Sequence, residues 1–181
     1  MTGPRLTVTA ARSAADLDGT ARIDASFTTS TIYKVERFPD GFRLVPQHLS
    51  QPVTKVYTWP GLAPHDGLLM ARAAGTVIGF IEVVFDTWNG RARIEHLYVS
   101  ARHRGVGAGR ALLAAADARA RAEPGMRCLW LETQNVNYPA IGFYRRAGFR
   151  LCGLDDTLYR PGDPGLLPGE VALYFTRDLP R

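Results

Sequence analysis

The chain has 181 residues, a formal net charge of +5, 46 % hydrophobic residues and 22 % charged residues. That is the size of one domain with a substantial core, in the composition of a soluble globular protein. No apolar run approaches the ~20 residues of a membrane span, the N-terminus lacks the apolar core of a signal peptide, and the basic excess forms no Lys-rich tail of the kind that marks a nucleic-acid footprint. The expectation is one cytoplasmic domain over 1–181, with a core from about 5 to 178 and neither a membrane nor a nucleic acid as partner.

In chain order, RLTVTA (5–10) reads as a first strand and DLDGTARIDASF (16–27) as a helix with Leu17, Ile23 and Phe27 on its apolar face. GFRLVPQ and TKVYTW alternate apolar with polar residues as half-buried strands do. LLMARAAG, TVIGFIEVVFD and ARIEHLYVS follow as three strands, with turns at Ala74–Gly75 and Asn89–Gly90; Asn-Gly is a strong hairpin signal. A helix is expected from about 106 to 122, stopped by Pro124 and Gly125. CLWLETQ (128–134) reads as a strand, PAIGFYRRA (139–147) as a short helix ended by Gly148, and FRLCG and EVALYFT as closing strands. This order predicts an α/β domain of the α+β type, with a mixed, mostly antiparallel sheet of about six to seven strands flanked by helices. Cys128 and Cys152 sit in strand-like runs and read as small buried hydrophobes, since no CxxC or Cys–His spacing is present.

One stretch stands apart: SARHRGVGAGRALL spaces Gly105, Gly107 and Gly109 two positions apart among arginines, just before an alanine-rich helix. The first turn of a helix carries backbone N–H groups without intrahelical partners, and the helix dipole adds positive charge there. Such an end binds anions. Glycines let a phosphate approach the backbone, and Arg102, Arg104 and Arg110 supply charge for its oxygens. The face made by Gly109, Leu112, Leu113, Ala116 and Ala120 would lay the helix on the sheet. A P-loop would need GK[ST] here, and a dinucleotide fingerprint GxGxxG; neither is present.

These residues resemble a known family. VSARHRGVGAGRALL resembles the acyl-CoA pyrophosphate loop of the GNAT superfamily of N-acetyltransferases, whose Arg/Gln-x-x-Gly-x-Gly/Ala signature maps onto Arg104, Gly107 and Gly109. LETQNVNYPAIGFYRRAGFRLCG resembles the same family's strand, asparagine, short helix and FY-x-x-x-GF segment. ASFTTSTIYKV, TKVYTW, WNGRARIEHLYV, the CGLDDTLY segment and EVALYF are similar to its streptothricin (nourseothricin) acetyltransferase branch. The resemblance implies acetyl-CoA as cofactor and acetyl transfer to a primary amine of a small cationic acceptor, a streptothricin-type antibiotic first. A polyamine, another amine drug or a protein lysine is the alternative acceptor, and a non-catalytic acyl-CoA-binding module the alternative class. That branch carries more carboxylates near His96 and Tyr98, whereas IEHLYV retains only Glu95.

The resemblance also assigns roles. Arg104, Gly105, Val106, Gly107, Ala108, Gly109 and Arg110 would hold the pyrophosphate, and main chain at Leu97, Tyr98 and Val99 the pantetheine arm, next to a strand bulge. Asn137, with Asn135, would touch the cofactor; Asn137 before Tyr138–Pro139 is equally a good N-cap. Tyr144 would protonate the departing sulfur: a phenol of pKa ~10 can donate to a thiolate of pKa ~8.5. Glu95 is the candidate base, with a surface ion pair to Arg93 or Arg104 as the alternative. Strand alternation puts His96 on the opposite face from Glu95. Tyr33, Glu82, Asp86, Trp88, Glu95 and Asp155 are the candidate residues around a cationic substrate, Asp155 and Asp156 equally a solvated turn. Nothing calls for a metal, and a homodimer is the default oligomer.

Overall fold

A computed structural model describes residues 6–57, 61–160, 162–163 and 165–180. Its elements, in chain order, are β1 (Leu6–Ala10), α1 (Ala14–Ala21), β2 (Phe27–Phe38), β3 (Gly41–Lys55), β4 (Leu68–Ala73), β5 (Thr76–Asp86), β6 (Arg91–Val99), a 3-10 turn (Ala101–His103), α2 (Ala108–Ala122), β7 (Cys128–Gln134), α3 (Tyr138–Arg146), β8 (Arg150–Asp155) and β9 (Ala172–Asp178). Seven strands make up one mixed sheet flanked by helices, and β2 and β3 form a separate two-stranded ribbon. Arg5 and the Thr58–Trp59 end of the TKVYTW stretch lie outside the described residues. Among the described residues no helix is long and apolar enough to cross a membrane.

The chain divides into two compact units, the first made of Met1–Ala25, Thr58–Trp130 and Asp178–Arg181, the second of Ser26–Tyr57 and Leu131–Arg177. In the first, the strands run in the order β1-β4-β5-β6, each antiparallel to its neighbour. Ala11, Ile23, Leu68, Met70 and Phe80 form a buried cluster with Tyr98 packed against it. Leu112, Leu113, Ala116 and Ala120 of α2 are buried, as their helical spacing predicts. The β4–β5 turn contains Ala74, at φ 47°. The β5–β6 connection is a four-residue turn, 87–90, in which Asn89 Oδ1 accepts from Arg91 N–H at 3.1 Å.

The first helix is shorter than its apolar spacing suggests. Ser13 caps it, accepting from Asp16 N–H while the Asp16 carboxylate accepts from Ser13 N–H at 3.0 Å. It ends at Ala21; Ile23 is buried beyond it and Phe27 begins β2. The expected helix over 16–27 is thereby corrected to Ala14–Ala21.

In the second unit, β7, β9 and β8 lie in that order. GFRLVPQ and the start of TKVYTW, expected as separate strands, are one fifteen-residue strand, β3, paired antiparallel with β2 from Phe27↔Lys55 to Phe38↔Gly41. Pro46 and Pro52 lie inside it. A two-stranded ribbon gives every strand a free edge, where a missing N–H leaves no bond unmade. Cys128 is buried, but Cys152 is exposed, contrary to the expectation of two buried thiols; outward alternation along β8 places it there.

Candidate active site

The glycine–arginine loop is built for close approach. Gly105 (φ 83°) and Gly107 (φ 92°) occupy the left-handed region that β-carbons disfavour. A Cβ added at Gly105 would meet nothing within 4 Å. Gly107 is the N-cap of α2, which makes no side-chain capping bond and has no acidic residue in its first turn. That end therefore keeps its N–H groups and dipole charge without the usual compensation. His103 Nδ1, in the turn leading into the loop, is buried without a hydrogen-bond partner. These features fit a phosphate-bearing group. The expected helix start near 106 moves to Ala108, because the positive φ of Gly107 ends helical geometry there.

Arg104 does more than offer charge. Its Nε donates to Val99 O at 3.3 Å and its Nη2 to Ala25 O at 3.2 Å, tying the loop to the end of β6.

β6 carries a bulge. Glu82 pairs with His96 and Val83 with Ile94, which leaves Glu95 as the extra residue. Bulges re-aim a side chain; the Glu95 side chain is 39 % exposed and forms an ion pair with Arg93, which also donates to Asp86 at 3.2 Å. Glu82 instead lies among imidazoles. His65 Nδ1 accepts from Gly67 N–H at 3.1 Å, so His65 Nε2 donates to Glu82 Oε1 at 2.8 Å, and His96 Nε2 lies 3.6 Å from Glu82 Oε2. Burial holds the His96 pKa below its ordinary value, against the opposing pull of Glu82.

Tyr144 sits on α3, whose two ends are both secured. Asn137 caps the start, its Oδ1 accepting from Ala140 N–H at 3.2 Å, with Pro139 in the first turn. At the other end Gly148 (φ 85°) donates to Arg145 O at 3.1 Å and Phe149 N–H to Tyr144 O at 3.0 Å, the Schellman pattern. Tyr144 is 7 % exposed.

Asn135 is buried and committed to the fold. Its Nδ2 donates to Tyr33 O at 2.8 Å and Gly169 O at 3.3 Å, and its Oδ1 accepts from Val171 N–H at 2.8 Å. Tyr33, expected near the substrate, is a core residue: its ring packs on Tyr138 and its hydroxyl accepts from Arg145 at 2.7 Å. Trp88 is 88 % exposed at the β5–β6 turn. Asp155 accepts from Thr157 N–H and Oγ1, each at 2.8 Å, bonds that lower its pKa. Asp156 pairs with Arg37 at 2.8 Å.

Sequence reasoning passed over a polar cluster in the second unit. Glu132 and Gln134 share one face of β7 by alternation. Tyr159 donates to Glu132 Oε1 and accepts from Gln134 Nε2 at 3.0 Å, while Gln134 Oε1 accepts from the Tyr57 hydroxyl at 2.7 Å. Lys55 and Glu170 form a buried ion pair, and both charges act on Glu132. Burial raises the Glu132 pKa, and Glu170 adds to this, while the Tyr159 bond and Lys55 oppose it. Alternation in LETQ hinted at the first pair; Tyr57 and Tyr159 lie too far along the chain for any local signal.

Residues 32–149 match the acetyltransferase (GNAT) family. The chain belongs to the GNAT acetyltransferase family. It is 40 % identical over 176 residues to a streptothricin acetyltransferase of Streptomyces lavendulae, covering 91 % of each chain. It is similar to the crystal structure of nourseothricin acetyltransferase, with a TM-score of 0.84 and 37 % identity over 99 % of this chain and 100 % of that one. A Bacillus anthracis protein assigned as a streptothricin acetyltransferase, solved with acetyl coenzyme A, gives a TM-score of 0.78 at 26 % identity over 96 % and 99 % of the two chains. The chain is thus an acyltransferase that uses acetyl-CoA, and the fold expectation is met in the GNAT-like α/β architecture with its seven-stranded sheet.

Proposed function

We propose that the acetyl acceptor is a primary amine of a streptothricin-type antibiotic, and that modification of the drug gives resistance. The observation that carries this reading is likeness over nearly the whole chain, well beyond the 32–149 family match, to proteins named for streptothricin and nourseothricin. Because acetyl-CoA is an intracellular metabolite, the reaction belongs in the cytoplasm, and a homodimer is the expected assembly.

Bound acetyl-CoA supplies a thioester-activated acetyl group. The N–H groups at the start of α2, with Gly105, Val106, Gly107, Ala108, Gly109 and Arg110, would hold its pyrophosphate. Arg104 would keep the loop in shape, and main chain at Leu97, Tyr98 and Val99 would hold the pantetheine arm and offer N–H groups to the thioester oxygen. Asn137, whose Nδ2 donates to the Tyr57 hydroxyl, is the asparagine assigned to the cofactor; Asn135 supports the fold beneath it.

The acceptor first gives its ammonium proton to Glu95, through water; the position of Glu95 on the bulge and its partial exposure support that role. The free amine then forms the new C–N bond as the C–S bond breaks, Tyr144 giving a proton to the departing sulfur and regaining one, through solvent, from the acylated nitrogen. Glu82, Asp86, Trp88 and Asp155 are the proposed surroundings of the cationic acceptor. Holding both substrates together supplies much of the rate through effective molarity.

The test is thiol release from acetyl-CoA, with and without streptothricin. Drug-dependent release that falls about 100-fold or more in Tyr144→Phe, the usual size of a lost general acid, supports the assignment. Acetyl-CoA binding without drug-dependent release refutes the acceptor.

A further inference from the structure

Hydrogen bonds in the second unit run without a break from a part-buried carboxylate, Glu132, to the first turn of α3. Tyr159 donates to Glu132, Gln134 to Tyr159 at 3.0 Å, Tyr57 to Gln134 at 2.7 Å, Asn137 Nδ2 to Tyr57 at 3.3 Å, and Ala140 N–H to Asn137 Oδ1 at 3.2 Å. Every donor points toward Glu132, so each hydroxyl accepts one bond and donates one, and each amide uses both its oxygen and its nitrogen. A run with one consistent direction polarises along its length and orients each member through its neighbour.

The end of that run is the cap that starts α3, and α3 is the helix that carries Tyr144. Helix caps decide whether the first turn is held or frayed. The helix is only nine residues long, so Tyr144 lies within two turns of the cap. The far end, secured by Gly148 and Phe149, fixes the helix at one point; the capped end fixes its direction.

We propose that Tyr159, acting through Gln134 and Tyr57, is a positioning residue that holds the Asn137 cap of α3 and so places Tyr144 for acetyl transfer. The proposal rests on the reading of Tyr144 as the group that protonates the sulfur. It assigns work to four side chains, Tyr57, Glu132, Gln134 and Tyr159, that touch neither reacting atom.

The charged and titratable groups around the Glu132 end are Tyr159, Lys55, Glu170 and Tyr174. Lys55 and Glu170 pair with each other in buried surroundings, so the carboxylate of Glu132 keeps Tyr159 as its hydrogen-bond donor.

Two readouts test the inference on the full chain. Amide exchange of Ala140, whose N–H is the last bond of the run, should quicken about tenfold in Tyr159→Phe while β8 and β9 amides keep their protection. In acetyl transfer, Tyr159→Phe should lower kcat about tenfold through misplacement of Tyr144, and adding Asn137→Ala should give a double variant little worse than either single one. Unchanged Ala140 exchange, or kcat losses that multiply, overturns it. If Tyr159→Phe fails to fold, Tyr57→Phe cuts the run at another link and is expected to do the same. Should the wild-type protein acetylate no amine, the catalytic reading falls, while Ala140 exchange still decides whether the run holds the cap.

Discussion

Tyr144 and Phe149 meet edge to face, ring centroids 5.7 Å apart, and the Phe149 N–H donates to the Tyr144 carbonyl at 3.0 Å. Side chain and main chain of the proposed acid are therefore both engaged by the residue that follows the helix end. This is the apolar contact that accompanies a Schellman motif, used here to hold the phenol proposed as the acid. The motif depends on Gly148, at φ 85°.

Gly148→Ala forces a β-carbon into the left-handed region and should cost ~1–2 kcal/mol. Urea unfolding measures this directly. Because Tyr144 lies in the same motif, kcat should fall by more than the loss of folded protein explains, with the KM for acetyl-CoA nearly unchanged.

Glu95 has two competing uses, the proposed proton acceptor and the ion pair with Arg93. Surface ion pairs of this exposure contribute ~0–1 kcal/mol, so Glu95→Gln should leave thermal stability close to wild type. If Glu95 takes the ammonium proton, kcat in that variant falls by about 100-fold and regains part of the loss at high pH, where more free amine is present. A kcat within about twofold of wild type at neutral pH would remove Glu95 from the mechanism.

Glu132 makes stability depend on pH in an unusual sense. Burial raises its pKa in the folded protein above the ordinary 4.5, so between those values the native state binds more protons than the unfolded chain. Its contribution is full below the unfolded value and is lost as pH rises through the folded one. Glu132→Gln removes that titration. The variant's stability relative to wild type should therefore improve from ~pH 5 to ~pH 8, read from urea midpoints at the two pH values.

The side chains of Lys55 and Glu170 are 6 % and 1 % exposed, and Glu170 also accepts from Leu167 N–H at 2.8 Å. Lys55→Met leaves a buried carboxylate unpaired and should cost ~3–5 kcal/mol. Adding Glu170→Gln removes the stranded charge, so the double variant should recover a good part of that loss in chemical denaturation.

Much of the fold was legible because local signals agreed with the tertiary result. The run from Leu68 to Val99 became β4, β5 and β6; the apolar face of α2 is buried as its spacing predicts; Asn137, Pro139 and Gly148 punctuate α3 at both ends. The β2–β3 ribbon was harder to read. β2 buries Phe27, Thr29 and Tyr33 on one face, but β3 is exposed along most of its length, so binary alternation is weak in β3, and Pro46 and Pro52 read as breaks although a free edge tolerates them. Tyr33 looked like a pocket aromatic because composition carries no burial; Arg145, 112 positions away in the chain, decides its place.

By itself the sequence determined the anion-binding character of the glycine–arginine loop, because the requirement is local: glycines where φ is positive, an uncapped helix start and nearby arginines occur within one short stretch. It determined the family for the same reason, since RHRGVGAGR and NYPAIGFYRRAGF are each contiguous. Only the tertiary structure decided which polar groups cooperate. The bulge that singles out Glu95 arises from pairing with β5, and the run from Tyr159 to Asn137 joins residues from separate parts of the chain. Hydrogen bonds reach about 3 Å in space and have no length limit along the chain, so such partnerships exist only once the backbone has folded.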